Sequence, residues 1–235
     1  MASRTMCDSM PELGELLARG RAADVYAYGD RHVLRRYRSD HDNIYEAAVM
    51  QHVVACGYPA PEVVEVAGRD LVMERLDGPT MLVDLSKRPW RIRRHTATLA
   101  GLLHRLHDLP VPAWAAQRHE SGSQLVHLDL HPDNVMLTSR GPVVIDWTNA
   151  GRGDADAEIA DLWLVLSTAD APATGLDRFV VAVGRGLLVK MLLRHFDTDA
   201  VRRRLRVALE GRSRDRNMSE TEQQRMRGLI ERYAL

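Results

Sequence analysis

The segment HLDLHPDN at residues 127–134, followed by VVIDW at residues 143–147, is the most informative part of this chain. It contains Asp129, then Asn134 five residues later, then Asp146 twelve residues after that. Two carboxylates and an amide at such short separations indicate a site built from hard oxygen atoms. The residues on either side must explain how the three side chains meet.

The residues between Asn134 and Asp146 predict a β-hairpin. Residues 135–138 and 143–146 are apolar strand candidates, and Ser-Arg-Gly-Pro at 139–142 is a turn sequence. Because Asn134 enters the hairpin and Asp146 leaves it, both are expected at its open end. Two oxygen ligands would then lie side by side, as Mg²⁺ requires.

Kinase-type phosphoryl transfer needs a carboxylate that accepts a hydroxyl proton and two oxygen ligands for magnesium. Asp129 is the candidate base, and Asn134 and Asp146 are the candidate metal ligands. A metallohydrolase that uses His127, Asp129, His131 and Asp146 is an alternative. Its signal is weaker, because no further His cluster with ligand spacing follows Asp146.

The composition excludes several classes of protein. The chain has 235 residues, is 45% hydrophobic and 27% charged, and is therefore typical of a soluble globular protein. Its 32 basic and 32 acidic residues balance, so bulk charge favours neither a nucleic acid nor a membrane partner. Cys7 and Cys56 suggest free thiols in a reducing compartment. Residues 1–11 lack the apolar core of a signal peptide, so we expect a cytoplasmic protein.

The chain divides by pattern into a β-rich first part and a helical remainder. In the first part, strands are expected at residues 15–20, 23–28 and 31–38, and a helix at residues 44–55. A two-stranded hairpin is expected at residues 63–66 and 71–74, followed by a linker at residues 76–79. Helices are expected at residues 90–109, 156–168, 176–195, 198–210 and 219–233. We find no internal repeat.

This order of parts resembles the aminoglycoside phosphotransferase family, bacterial relatives of eukaryotic-type protein kinases, over residues 15–168. The motifs are specific at 127–146 and looser upstream. The resemblance implies an α+β, two-lobed protein-kinase-like fold. Residues 1–76 would form a small antiparallel β lobe with one helix that covers the nucleotide. Residues 77–235 would form a larger helical lobe with the catalytic loop and the substrate site.

The resemblance also implies roles for residues around the catalytic loop. Asp129 corresponds to the catalytic base of the family, and Asn134 and Asp146 correspond to its Mg²⁺ ligands. His127 would hold the backbone of the loop. Asp161 matches a buried helix aspartate that tethers the catalytic loop in the wider kinase fold.

Upstream, Arg35 resembles the strand residue that pairs with the α- and β-phosphates, and Glu46 resembles its helix partner. The family usually has lysine here and in some members arginine, whose planar fork has a different reach. Arginine replaces lysine almost throughout this chain, which softens the departure. Arg36 is an alternative to Arg35, although the alternation with Val33 and Tyr37 favours Arg35.

Two further segments correspond to nucleotide contacts of the family. Gly20 and Ala22 lie where a phosphate-covering loop is expected, although the chain lacks a Gly-x-Gly-x-x-Gly pattern there. Met73, Glu74 and Leu76 lie where the hinge between the lobes meets adenine through backbone groups.

The expected function is Mg²⁺-dependent transfer of a phosphoryl group from ATP or GTP to a hydroxyl of a small molecule. An aminoglycoside or another antibiotic is one candidate acceptor. The acidic residues 154, 156 and 158 would suit a cationic acceptor, but they fit a helix N-terminus better. Alternatives are a kinase of a metabolic sugar or amino alcohol, and a ligand-binding protein that kept the fold without catalysis. The protein is expected to be a monomer or a homodimer.

Overall fold

The computed structural model describes residues 13–20, 22–38, 43–168, 176–213 and 220–233, without the side chains of residues 176–183, 213 and 220–223. Cys7 and residues 1–11, on which the signal-peptide expectation rests, lie outside the described residues. Cys56 is an exposed free thiol. Among the described residues, no helix is long and apolar enough to cross a membrane.

The N-terminal part is a five-stranded antiparallel sheet with the order β1-β2-β3-β5-β4. Its strands are β1 (Leu13–Arg19), β2 (Ala23–Tyr28), β3 (His32–Tyr37), β4 (Val63–Ala67) and β5 (Asp70–Glu74). Helix α1 (Asn43–Ala55) lies between β3 and β4 and buries Val49, Met50 and Val53 in the core. The helix stops at Gly57, whose φ of 76° suits glycine, and the amides of Gly57 and Tyr58 donate back to Val54 and Val53.

A linker joins this sheet to the helical part, and Gly78 explains its close packing. Gly78 has a φ of 138°, and a Cβ atom there would lie 2.1 Å from the carbonyl oxygen of Leu137. No side chain fits that space. The amide of Leu137 donates to the carbonyl of Pro79 at 2.9 Å, so the linker is held against the hairpin that follows the catalytic loop.

The remaining elements follow in chain order. They are α2 (Met81–Lys87), a 3₁₀ turn (Pro89–Arg91), α3 (Ile92–His107), β6 (Gln124–Val126), β7 (Val135–Thr138), β8 (Gly141–Val144), β9 (Gly151–Gly153), α4 (Ala155–Thr168), α5 (Leu176–Leu193), α6 (Thr198–Ser213) and α7 (Glu220–Tyr233). Strands β7 and β8 form the predicted hairpin, and β6 pairs with β9. Helix α4 packs against α5, α6 and α7.

The α+β class, with an antiparallel sheet and one helix before a helical remainder, is confirmed. Three details of the sequence prediction are wrong. Helix α2 was not expected, and α3 begins at Ile92 because Pro89 starts a separate 3₁₀ turn. The β6–β9 ladder was missed, since β9 is Gly-Arg-Gly and has no alternating apolar pattern.

Candidate active site

A buried glutamate holds the start of the catalytic loop. Leu128 has a φ of 61°, a conformation that leucine rarely adopts. The carboxylate of Glu158 on α4 accepts the backbone N–H of His127 at 2.6 Å and that of Leu128 at 2.7 Å. Its other oxygen lies 2.5 Å from Nε2 of His107. The strained turn therefore persists because surrounding contacts fix it.

The charge state of Glu158 fits this role. Burial by itself would raise the pKa of the carboxyl group, but the hydrogen bond and charge of His107, with the amide of Leu128, outweigh it and lower the pKa. Glu158 is therefore a carboxylate at neutral pH, and a carboxylate accepts backbone N–H groups strongly.

His127 ties the catalytic loop to the strand that leads to Asp146. Its ring is fully buried beside Trp147, with the ring centroids 4.7 Å apart. Nε2 donates to the carbonyl of Ile145 at 3.2 Å. Burial lowers the pKa of His127, so the ring is neutral. This placement agrees with the expected structural role, which stays a prediction.

Asp129 and Asn134 contact each other directly. The side-chain amide Nδ2 of Asn134 donates to the carbonyl oxygen of Asp129 at 2.9 Å and to its carboxylate oxygen Oδ2 at 3.1 Å. The carbonyl of Asn134 accepts the amide of Ile145 at 3.0 Å. Asn134 and Asp146 therefore lie at the open end of the β7–β8 hairpin, where the spacing predicted them.

Arg35 connects the sheet to this site. Its Nη1 donates to Glu46 at 3.1 Å, and its Nη2 donates to Oδ1 of Asp146 at 2.7 Å. The neighbouring Arg36 instead forms two hydrogen bonds with Asp70 on the exposed side of the sheet, at 2.7 and 2.6 Å. Arg35, rather than Arg36, is thus the strand base that faces the site.

Additional contacts hold Glu46 and Asp146 in place. Tyr37 donates its hydroxyl to Glu46, which is 1% exposed. The hydroxyl of Thr148 lies 2.9 Å from Oδ1 of Asp146 and 3.3 Å from Glu46. Burial would raise the pKa of Asp146, but the charge and hydrogen bond of Arg35 outweigh it and lower the pKa. Asp146 is therefore ionised at neutral pH.

The remaining oxygen atoms suit a magnesium ion. The hydrogen bonds of Asn134 use its nitrogen, which leaves Oδ1 of the amide available. The hydrogen bonds that Asp146 accepts within the described residues use Oδ1, which leaves Oδ2. Mg²⁺ binds such hard oxygens and usually takes only one or two side chains, with phosphates and water completing its shell.

The expectation that Asp161 tethers the catalytic loop stays a prediction, since the described link between them runs through Arg212. The loop amides are held by Glu158, one helical turn earlier on α4. Asp161 instead accepts Nε and Nη2 of Arg212, on α6, at 2.7 and 2.9 Å. The longer glutamate side chain reaches the loop, whereas Asp161 faces the helix packed beside α4.

The expected nucleotide-contact segments lie at two ends of the sheet. Gly20 and Ala22 lie in the turn between β1 and β2, and the amide of Gly20 donates to Ala23 at 2.9 Å. Met73 and Glu74 end β5, and Leu76 follows in the linker. The amide of Glu74 already donates to Glu62. The contact of these segments with a nucleotide stays a prediction.

Sequence reasoning missed three contributors to the site. Thr148 and His107 carry no motif of their own, and Glu158 was interpreted only as one of the acidic residues that suit a cationic acceptor or a helix N-terminus. Asp154 does have that role, since its Oδ1 accepts the amide of Ala157 at 3.1 Å. Glu158 is 2% exposed, and the sequence signal that distinguishes it from its acidic neighbours is the run of apolar residues around it on α4.

Comparison with known proteins identifies the family. The sequence profile of the phosphotransferase enzyme family (APH) matches residues 14–123 and 111–204. The chain belongs to this family. Its membership overturns the metallohydrolase alternative. A thiamine kinase of Salmonella newport (strain SL254) is 49% identical over 39 residues, which are 17% of this chain and only 14% of that enzyme.

Solved structures share the fold over nearly the whole chain. A choline kinase from Cryptosporidium parvum Iowa II has a TM-score of 0.62 and 13% identity, over 97% of this chain and 90% of that one. Aminoglycoside phosphotransferase APH(2'')-Ib, bound to ADP, has a TM-score of 0.59 and 14% identity, over 97% and 96% of the two chains. Identities this low establish the fold alone. The predicted kinase-like fold is confirmed, whereas the domain division at residue 76 stays a prediction.

Proposed function

We propose that this protein transfers the γ-phosphoryl group of ATP to a hydroxyl of a small molecule. The observation that carries the proposal is the contact between Arg35 and Asp146, at 2.7 Å. It brings a phosphate-binding cation from β3 against a metal-binding carboxylate at the end of the β7–β8 hairpin. Glu46 holds Arg35, and the loop that carries Asp129 adjoins Asp146.

Each residue has a separate task in this reaction. Asp129 orients the acceptor hydroxyl and takes its proton as the oxygen attacks the γ-phosphorus and the bond to the departing ADP breaks. Arg35 exchanges its contact with Asp146 for the α- and β-phosphates and keeps its contact with Glu46. Asn134 and Asp146 would hold Mg²⁺, which neutralises phosphate charge when it is bound. Catalysis then rests on positioning and on charges set in advance.

The nucleotide would enter between the sheet and the β7–β8 hairpin. The amides of Glu74 and Arg75 already donate to Glu62 and Arg31. An adenine or guanine base would therefore use the amide of Leu76 or carbonyl oxygens of Met73 and Glu74. The turn containing Gly20 and Ala22 would cover the phosphates. ATP is favoured over GTP because solved proteins of the same fold carry ADP, ATP or AMP-PNP.

Both antibiotics and metabolic alcohols are candidate acceptors. Of the acidic residues after Asp146, Asp154 caps α4 and Glu158 holds the catalytic loop, so neither is free to bind a polycation. Proteins of the same fold include an enzyme complexed with gentamicin and a choline/ethanolamine kinase family protein. We therefore expect the acceptor to be found by testing both classes.

The experiment is a screen for ADP formation from Mg·ATP with gentamicin, streptomycin, choline, ethanolamine, thiamine and simple sugars. At least one acceptor should stimulate turnover above the rate with water. Calorimetry with Mg·ATP runs in parallel. A tightly bound ligand without ATP turnover for any acceptor favours the ligand-binding alternative, and absence of nucleotide binding overturns the proposed phosphoryl transfer.

The base is tested with Asp129→Asn, which keeps the size of the side chain but cannot accept the proton. Turnover should fall by at least ~10²-fold, the usual scale for loss of a general base. Asp199→Asn, at an exposed position of α6, is the matched control and should leave turnover unchanged. Near-normal turnover of the Asp129 variant contradicts the assignment.

A further inference from the structure

Arg212 reaches the catalytic loop from the other side of the site. It lies near the end of α6, and Asp161 on α4 accepts its Nε and Nη2 at 2.7 and 2.9 Å. Nη2 also lies 3.4 Å from Oδ1 of Asp129. The planar fork of arginine allows one guanidinium to bind one carboxylate with two hydrogen bonds and still face another. Arg212 therefore bridges Asp161 and Asp129.

The surroundings favour this bridge. Arg212 and Asp161 are largely buried, with side-chain exposures of 19% and 11%. A shallow recess adjoins them, and apolar side chains including Leu130 and Leu162 form part of its wall. Charges interact more strongly where water is scarce. The charges of Asp161 and Asp129 outweigh burial and raise the pKa of Arg212, so it stays a cation.

The carboxylate of Asp129 is thereby held at both oxygens. Asn134 donates to Oδ2 at 3.1 Å, and Arg212 lies 3.4 Å from Oδ1. Nε2 of His131 lies farther from Oδ1, at 3.6 Å. Without Arg212, the carboxylate would keep one short side-chain hydrogen bond and could rotate about its terminal bond, whose torsional preference is broad.

We propose that Arg212, anchored by Asp161, is a positioning residue that aims the carboxylate of Asp129 at the acceptor hydroxyl. The proposal rests on the proposed function in that Asp129 is taken as the base. Among the described residues, the hydrogen bonds of Arg212 go to Asp161 and Asp129 and to neither candidate metal ligand, so we infer that it acts through Asp129. A displacement of the reacting groups by about 1 Å can reduce turnover by roughly 10²-fold.

The first test is structural and requires no turnover. Crystal structures of the full chain are compared for the wild type, Arg212→Met and Arg204→Met. Arg204 is the matched control, because it also lies on α6 and pairs with an aspartate, Asp154, at 2.8 Å. The Asp129 carboxylate should rotate or occupy several orientations only in the Arg212 variant. An unchanged, well-ordered carboxylate in that variant overturns the proposal, whether or not the protein is a kinase.

The second test is kinetic and uses the acceptor that the screen identifies. Arg212→Met should lower kcat by about 10- to 100-fold and leave the KM for ATP within about 2-fold of the wild type. Arg212→Lys, which keeps the charge but loses the fork, should recover part of the loss. Should Arg212→Met fail to fold, the lysine variant carries both tests, with a smaller decrease in kcat.

A double-mutant cycle separates positioning from a structural role. If Arg212 acts through Asp129, Arg212→Met should cost little further activity in an Asp129→Asn background. An equal loss in both backgrounds, or a parallel rise in the KM for ATP, overturns the proposal. A wild type without turnover instead removes the proposed function, and the crystal structures then decide the positioning role alone.

Discussion

Two arginines each bridge a supporting carboxylate and a second carboxylate that is proposed to be catalytic, but their short contacts lie on opposite sides. In the nucleotide-side triad, Glu46–Arg35–Asp146, the contact to the catalytic carboxylate is shorter, at 2.7 Å against 3.1 Å. In the acceptor-side triad, Asp161–Arg212–Asp129, the supporting contacts are 2.7 and 2.9 Å and the catalytic one is 3.4 Å. In the proposed reaction Arg35, which donates to Asp146 here, would later bind phosphate. Arg212 is anchored to its support.

This difference implies different behaviour during the reaction. In the proposed reaction Arg35 would change partners when the nucleotide arrives, while Tyr37 and Thr148 hold Glu46 in place. Arg212 has no charged ligand to meet in the proposed reaction, so it keeps its partners throughout. Removing Arg35 should therefore damage nucleotide use, whereas removing Arg212 should damage only the step that involves Asp129.

The largest effect is expected for Arg35→Met, which removes a cation from the phosphates and a hydrogen-bond donor from the buried Glu46. The value of kcat/KM for ATP should fall by about 10²- to 10³-fold, as for loss of a preorganised donor. Arg36→Met is the control, since Arg36 pairs with Asp70 on the exposed side of the same strand. Steady-state kinetics at varied ATP measure both. A loss confined to kcat, with unchanged KM, would make the two triads alike.

A smaller effect is expected for Arg35→Lys. A lysine supplies a point charge that suits phosphate but cannot fork between Glu46 and Asp146. We expect about a 10-fold decrease in kcat/KM for ATP or less, in the same assay. A loss as large as that of Arg35→Met would mean that the bridge itself, rather than its charge, is required.

The smallest effect concerns stability against pH, measured by thermal unfolding without nucleotide or magnesium. Arg35 and Thr148 lower the pKa of Asp146 below its ordinary 3.8 against the effect of burial, so its stabilisation is present above about pH 4 and lost on acidification. Burial raises the pKa of Asp161 to about 6 from 3.8, although Arg212 opposes this. Its stabilisation is thus complete below about pH 4 and lost as the pH rises through about 6.

The two triads should therefore respond to pH in opposite directions. Relative to Asp146→Asn, the wild type should lose melting temperature as the pH falls below about 4. Relative to Asp161→Asn, it should lose melting temperature as the pH rises from about 4 to 7, by about 2–4 °C for each kcal/mol. Parallel trends for the two variants would contradict the contrast between the triads.

The sequence by itself determined the fold class, the resemblance to the family and the grouping of Asp129, Asn134 and Asp146. It could do so because these residues lie around one short hairpin, where strand pairing alone brings them together. The register of β3 likewise selected Arg35 over Arg36, since alternation in a strand decides which side chain faces inward.

Only the tertiary structure decided which distant residues complete the site. Glu158 lies 30 residues from the amide of Leu128 that it binds, and Arg212 lies 83 residues from Asp129. Helix α6 carries several arginines, among them Arg202, Arg204 and Arg206, and their spacing does not reveal which one meets a carboxylate. That choice depends on how α6 packs against α4, and packing geometry between helices is not encoded in any local pattern.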